Sequence, residues 1–126
     1  MEKIYPLLPF LDFKTLLTLR LCCRDIDRYI TIINVSNTNI KQIPYFENLS
    51  KLYCAKTKIC NIDLFSKLTY LDCSWTAIKN IKSPLLKVLK CDGTDINTTF
   101  EEFSYLEILS CRFCTNITEI YPNGNS

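Results

Sequence analysis

Apolar and polar positions along most of this chain follow one pattern, which returns after about 18–20 residues each time. In a representative copy, the apolar positions Leu49, Leu52, Cys54 and Ile59 enclose the polar Thr57. The copies begin at Ile30, Leu49, Leu68, Leu86 and Leu106, so successive residue numbers differ by 19, 19, 18 and 20. A fixed short period predicts a solenoid, in which each repeat packs only on its neighbours.

The Leu-x-x-Leu-x-Cys part of each repeat predicts a short strand, because its last apolar positions alternate with polar ones. Repeats of this length leave no room for a long helix, so the return side should be extended or contain a single 3₁₀ turn. Equivalent strands would then lie as parallel neighbours about 4.8 Å apart. Since no single repeat can bury its own apolar face, at least about three are needed for stability.

Two further columns of like residues support this arrangement. Threonine follows three residues after the last strand position, where a hydroxyl can satisfy backbone groups at the turn; the four are Thr38, Thr57, Thr76 and Thr94. Phenylalanine precedes the leading leucine by three residues and predicts an internal aromatic column, made by Phe46, Phe65 and Phe103. Ser83 holds the matching place in the shortest repeat.

The segment before the repeats has helical spacing instead. Asp12 is a suitable N-cap, and Leu16, Leu17 and Leu19 then recur at helical intervals. A second helical turn or two is expected from Arg24 to about Tyr29. Two short helices here would cover the open edge of the first repeat, which would otherwise invite pairing with other chains.

Composition narrows the function. The chain of 126 residues contains no histidine, which removes histidine-based acid–base catalysis and histidine metal sites. A net charge of +2 and a pI near 8.1 fall short of the pI above about 9 typical of nucleic-acid binders. No secretory signal is visible in the sequence, and no apolar run reaches the roughly 20 residues that a membrane span needs. We therefore expect a non-enzymatic intracellular protein, cytoplasmic or in a host-cell cytoplasm, without a cofactor or a nucleic-acid or membrane partner.

Cysteine is frequent, and four cysteines share one repeat position: Cys54, Cys73, Cys91 and Cys111. A straight row with a spacing of about 5 Å cannot wrap one tetrahedral zinc ion. Reduced, buried thiols acting as small apolar groups are the simplest interpretation. Cys111 and Cys114 form the single Cys-x-x-Cys pair, which is weak evidence for zinc or redox chemistry, and we expect no metal site.

The repeat spacing resembles that of the leucine-rich repeat family, Leu-x-x-Leu-x-Leu-x-x-Asn/Cys-x-Leu, from residue 30 to about 120. Here cysteine replaces the third leucine and threonine replaces the asparagine. The resemblance, which extends to short repeat proteins of amoebae and their large DNA viruses, implies a repeat solenoid of the α+β class. It would be a right-handed coil with about five parallel strands on its concave face and an N-terminal helical cap. The expected layout is a cap over 1–29, repeats over 30–120 and a flexible tail over 121–126.

In that family the concave face binds other proteins, and the residues that alternate with the buried ones line it. We expect a partner protein at Lys51, Tyr53, Tyr70, Asp72, Trp75, Lys90, Asp92, Arg112 and Phe113. Tyrosine, tryptophan and arginine are enriched in binding hot spots. The alternative is that these residues merely solvate the sheet. Self-association through the last strand's edge is a further expectation.

Residues 7–30 resemble the F-box motif through Leu11, Asp12, Leu16, Leu17, Leu19, Arg20, Cys23 and Arg24. The motif opens with a Leu-Pro pair about ten residues before the Leu-Asp step, and no pair stands at that distance before Leu11. Pro6 and Pro9 also fall where the first helix would run. The segment is therefore either a degenerate box kept as a cap or a working box. A working box would dock on the adaptor of a cullin ubiquitin ligase through Leu7, Leu8, Leu11, Leu16, Leu17 and Leu19.

Overall fold

The structure is a computed structural model that describes residues 12–22, 24–97 and 102–114. Two helical segments come first, the α-helix α1 (Phe13–Cys22) and a 3₁₀ helix (Arg24–Tyr29). Five strands follow: β1 (Ile32–Asn34), β2 (Lys51–Tyr53), β3 (Tyr70–Asp72), β4 (Val88–Lys90) and β5 (Ile108–Ser110). Of the helices in these ranges, neither has the length and apolarity needed to cross a membrane.

The five strands form one parallel sheet in the order β1-β2-β3-β4-β5. Ile33 pairs with Leu52, Leu52 with Leu71, Leu71 with Leu89, and Leu89 with Leu109. The paired residues have the same spacing as the sequence repeats, so the predicted register is confirmed. The chain is a β-solenoid of about four turns.

Like residues lie in continuous columns inside the coil, as predicted. The central residue of each strand is buried, and so are the cysteines that follow, Cys54, Cys73 and Cys91. The backbone N–H of Cys54 donates to Asp72 O, and that of Cys73 donates to Lys90 O. Burying each leucine or isoleucine of these columns stabilises the fold by about 1.5–3 kcal/mol.

The threonine column closes the turn after each strand. Thr57 Oγ1 donates to Cys54 O (2.8 Å), and Thr76 Oγ1 donates to Cys73 O (2.6 Å). The same hydroxyl of Thr76 accepts from the backbone N–H of Ile78 (3.4 Å). The hydroxyls of Thr38, Thr57 and Thr76 each satisfy a donor and an acceptor inside their own turn, and that of Thr94 donates to Cys91 O (2.6 Å), so the predicted role is confirmed.

The aromatic column is also buried, with Phe46, Phe65 and Phe103 on the side of the coil away from the strands. Ser83 takes the fourth place, and its hydroxyl donates to the carbonyl oxygen of Phe65. The small side chain fits the shortest repeat, and the hydrogen bond provides for its polar atom inside the core.

The helical segments pack on the first repeat. The Asp12 carboxylate accepts from the backbone N–H of Thr15 (2.7 Å), which confirms the N-cap. Hydrogen bonds from the side chain and then from the backbone of Thr15 lower the pKa of Asp12. Leu16 of α1 and Ile26 of the 3₁₀ helix enter the core. Arg20 forms an ion pair with Asp27 (3.0 Å), and its guanidinium lies 4.9 Å from the centre of the Phe46 ring. The cap is thereby fastened to the solenoid beside β1.

Candidate binding face

The first and third residues of every strand point away from the core and form two rows across the sheet. The register places Ile32, Lys51, Tyr70, Val88 and Ile108 in the first row. The second row is Asn34, Tyr53, Asp72, Lys90 and Ser110. Since all ten are partly or fully exposed, they make one continuous solvated surface, which we name the sheet face.

The middle of the sheet face is an aromatic and cationic cluster. The rings of Tyr53 and Tyr70 have centroids 4.8 Å apart at an angle of 37°. Lys90 Nζ lies 5.7 Å from the centre of the Tyr70 ring. Burial, followed by the neighbouring Tyr70, raises the pKa of Tyr53, and the hydrogen bond with Tyr70 raises the pKa of Lys90. Tyr53 therefore stays neutral and Lys90 stays charged at physiological pH.

The two aspartates beside this cluster are held by local hydrogen bonds. Asp72 Oδ1 accepts from the backbone N–H of Ser74 (3.2 Å). Asp92 Oδ1 accepts from the hydroxyl of Ser110 (2.7 Å) and from the backbone N–H of Arg112 (2.8 Å). Both carboxylates are thus held at the strand ends, where they accept hydrogen bonds from the following turn and also add negative charge to the surface.

A turn in the left-handed backbone conformation follows each strand, two residues beyond the buried Val or Cys position. The φ values are 62° at Asn37, 56° at Lys56, 57° at Trp75, 64° at Gly93 and 60° at Phe113. Successive turns are joined by backbone bonds, such as Trp75 N–H to Asp92 O (2.7 Å) and Gly93 N–H to Arg112 O (2.7 Å). These five residues are named the turn column.

Two aromatic side chains of the turn column meet across Gly93. The rings of Trp75 and Phe113 have centroids 5.8 Å apart at an angle of 34°. Their exposed fractions are 50% for Trp75 and 77% for Phe113. We name this pair the aromatic ledge. The sequence predicted an exposed corner at Trp75 but not the pairing, which depends on the missing side chain of Gly93.

The residues predicted from the sequence thus fall into two groups. Lys51, Tyr53, Tyr70, Asp72 and Lys90 share the sheet face, whereas Asp92, Trp75, Arg112 and Phe113 lie at or beside the turn column.

The residues predicted to contact a ligase adaptor are placed differently. Leu16 is buried, and Leu17 and Leu19 are half-buried and pack against the core. Leu7, Leu8 and Leu11 lie outside the described residues, as does the predicted tail over 121–126. Leu21, which was not among the predicted contacts, is 88% exposed on α1.

Cys54, Cys73 and Cys91 are buried in the core as expected, whereas Cys111, the fourth cysteine of the predicted row, is only half-buried. Burial raises the pKa of the Cys54 thiol to about 12 and also raises the pKa of Cys73 and Cys91. Cys114 occupies the threonine place of the fifth repeat, and its thiol donates to Cys91 O (2.9 Å). The Cys-x-x-Cys spacing therefore arises from two structural columns. Across the described ranges, no group of three or more cysteines and carboxylates is arranged to hold a metal ion.

Fold and surface together define a short parallel β-solenoid whose sheet face carries a central cluster of tyrosine and lysine, with an aromatic ledge at the turns beside it. No protein family, curated protein or solved structure matches this chain.

Proposed function

We propose that this protein is a non-enzymatic recognition module of the leucine-rich-repeat type, which binds a partner protein through the sheet face. The observation that carries the proposal is the cluster of Tyr53, Tyr70 and Lys90, whose rings and ammonium group contact one another on the solvent side of the sheet. Tyrosine side chains supply a large contact area together with a polar tip, and they recur where binding energy is concentrated.

The chemistry of the face favours a protein over a polyanion. On the sheet face Lys51 and Lys90 are interspersed with Asp72, and Asp92 and Arg112 lie beside it at the turn column, so both signs of charge are present. Mixed charge supports selection of a partner of matching pattern, whereas phosphate backbones favour a uniformly basic surface. The repeated strands also provide a rigid surface that positions these side chains.

A site-specific photocrosslinker tests the proposal. Placed at Tyr53 and used in the native cell, it should join the protein to a defined partner. The same group at Tyr105, an exposed residue (59%) in the turn before β5, is the matched control. Binding of the captured partner to purified protein should be lost on Tyr70→Ala and kept on Tyr105→Ala. Equal capture from both positions, or binding that survives Tyr70→Ala, would reject the sheet face as the site.

A second candidate, the ubiquitin-ligase adaptor function, draws support from Leu21. A leucine that is 88% exposed on a helix of the F-box-like segment offers a contact for another protein. Purified ligase adaptor should then bind the protein and lose binding on Leu21→Asp but not on Lys14→Glu, an exposed change on the same helix. Leu16→Asp is unsuitable, because Leu16 is buried and its change would unfold the cap. If the unaltered protein does not bind the adaptor, the ligase function is rejected and the recognition module remains as the proposed function.

A further inference from the structure

The aromatic ledge occupies backbone positions that suit its residues poorly. A left-handed conformation is easily adopted by glycine and tolerated by asparagine, but it is uncommon for bulky side chains. Gly93 and Asn37 obey this preference, whereas Trp75 and Phe113 do not. Strained residues of this kind persist where the surrounding structure enforces them, and they concentrate at binding sites.

Burial in the core does not compensate for the backbone strain of Trp75 and Phe113, because both rings are exposed. Trp75 is half-exposed and Phe113 is more exposed still, and their closest aromatic partner is each other. The Trp75 ring covers Gly93, where any added β-carbon would overlap it. The result is a supported apolar platform that faces solvent.

Positive charge flanks the ledge. Lys56 is the residue before Trp75 in the turn column, and its backbone N–H donates to Ser74 O (2.9 Å). Arg112 directly precedes Phe113 in the sequence. Neither side chain forms an ion pair with any residue that the structure describes. The nearby Asp92 carboxylate is occupied by Ser110 and by the Arg112 backbone. These hydrogen bonds come from neutral donors and do not cancel the charge of Asp92, so Lys56 and Arg112 outnumber one carboxylate beside the rings.

We propose that the aromatic ledge, with Lys56 and Arg112, binds an acidic peptide segment that places an apolar side chain on the Trp75 and Phe113 rings. The inference rests on the proposed function, because it names the chemistry of one segment of the partner. Two flanking cations and a chain pI near 8.1 are too little for a nucleic acid, whose binders usually exceed about 9. They suit a short run of carboxylates beside an apolar anchor.

The ledge carries its own reporter, since Trp75 is the single tryptophan of the chain. The probes are two synthetic peptide pools with the same proline, leucine and phenylalanine content, one rich in Asp and Glu and the other in Lys and Arg. The acidic pool should change Trp75 emission saturably below about 1 mM, and less at high salt. An equal response to the basic pool, a stronger response to oligothymidine or heparin, or no response to the acidic pool would overturn the proposal.

Variants separate the ledge from the sheet face. Phe113→Ala should lower the affinity of the protein for the acidic pool about tenfold. Arg112→Gln should lower that affinity and also reduce its dependence on salt. Tyr105→Ala should leave binding unchanged, and circular dichroism of each variant reports on folding. Unaltered affinity in folded Phe113→Ala would overturn the ledge. A partner crosslinked through Tyr53 that binds Phe113→Ala normally would leave the sheet face standing while rejecting the ledge.

Discussion

The indole of Trp75 lies directly against the backbone of Gly93, in the space that a side chain at position 93 would fill. Gly93 also has a φ of 64°, so one residue meets two requirements that favour glycine. The two aromatic residues of the ledge depend on this arrangement, because it lets the Trp75 ring reach Phe113 in the repeat after next.

Gly93→Ala should therefore displace the indole and lower stability. The left-handed backbone alone costs an alanine about 1–2 kcal/mol, and the overlap with the ring adds to that. Urea unfolding gives the free energy, and Trp75 emission reports the displacement. Lys56→Gly, at the same place in another turn, should instead raise stability by up to about 1 kcal/mol, because glycine relieves the left-handed strain there. Unchanged emission and stability in Gly93→Ala would contradict the description of the turn.

Thr76→Val should destabilise the protein by about 1–3 kcal/mol, because Cys73 O and the Ile78 N–H would lose their buried partner. Thr38→Val is the matched control in the first repeat, since Thr38 is exposed there and water can replace its hydroxyl. Thermal or urea unfolding of the two variants measures the difference. Equal losses would mean that burial of the turn does not matter.

Phe65→Ala should cost about 3–5 kcal/mol, because it leaves a cavity in the aromatic column. Its neighbour Leu64 is exposed, so Leu64→Ala should stay within about 0.5 kcal/mol of the unaltered protein. Denaturant unfolding with a common slope compares them. A loss below about 1 kcal/mol in Phe65→Ala would show that the column adapts to the missing ring.

Stability should fall as the pH rises from about 9 towards 12. Folded thiols with a raised pKa, such as Cys54 at about 12, keep their protons where unfolded thiols with an ordinary pKa of 9.0 lose them. Each such thiol contributes up to about 1.4 kcal/mol of loss per pH unit. Urea midpoints measured across this window should decline less steeply in Cys73→Ala than in Cys60→Ala, since Cys60 is exposed. Parallel slopes in the two variants would show that the buried thiol is not responsible.

Arg20→Ala should loosen the cap, with a cost of about 1–2 kcal/mol. The side chain is part-buried and joins Asp27, the carbonyl of Tyr45 (3.4 Å) and the Phe46 ring. Arg28→Ala is the control, because Arg28 meets Asp25 at 3.7 Å in an exposed pair that should be worth little. Hydrogen exchange of α1 amides locates the effect, and faster exchange in both variants alike would argue against the Arg20 contact.

The repeat made the sheet predictable down to its residue pairs. Leu52 and Leu71 hold the same place in successive copies of the pattern, and parallel strands convert equal places into neighbours. The N-cap at Asp12 could also be predicted, because capping depends on the local sequence alone.

The ledge was not predictable in the same way. Its formation depends on backbone conformation at five turns and on how far the Trp75 ring extends over a residue in the next repeat. The asparagine at 37 and the glycine at 93 were the available signal for left-handed turns, but Lys56, Trp75 and Phe113 do not carry it. Cys114 occupies the threonine place of its repeat and donates to Cys91 O, but its spacing from Cys111 is also typical of a metal or redox pair, so the sequence alone does not indicate the structural role.

Paired residues are 19 positions apart between β1 and β2 and between β2 and β3, but 18 apart between β3 and β4 and 20 apart between β4 and β5. The strand register is nevertheless unbroken. Length changes are therefore absorbed on the return side, away from the surface that would meet a partner. A lineage could add, drop or trim whole coils by in-frame duplication or deletion while keeping that surface aligned. The length of the solenoid can therefore change more easily than the cross-section of each coil.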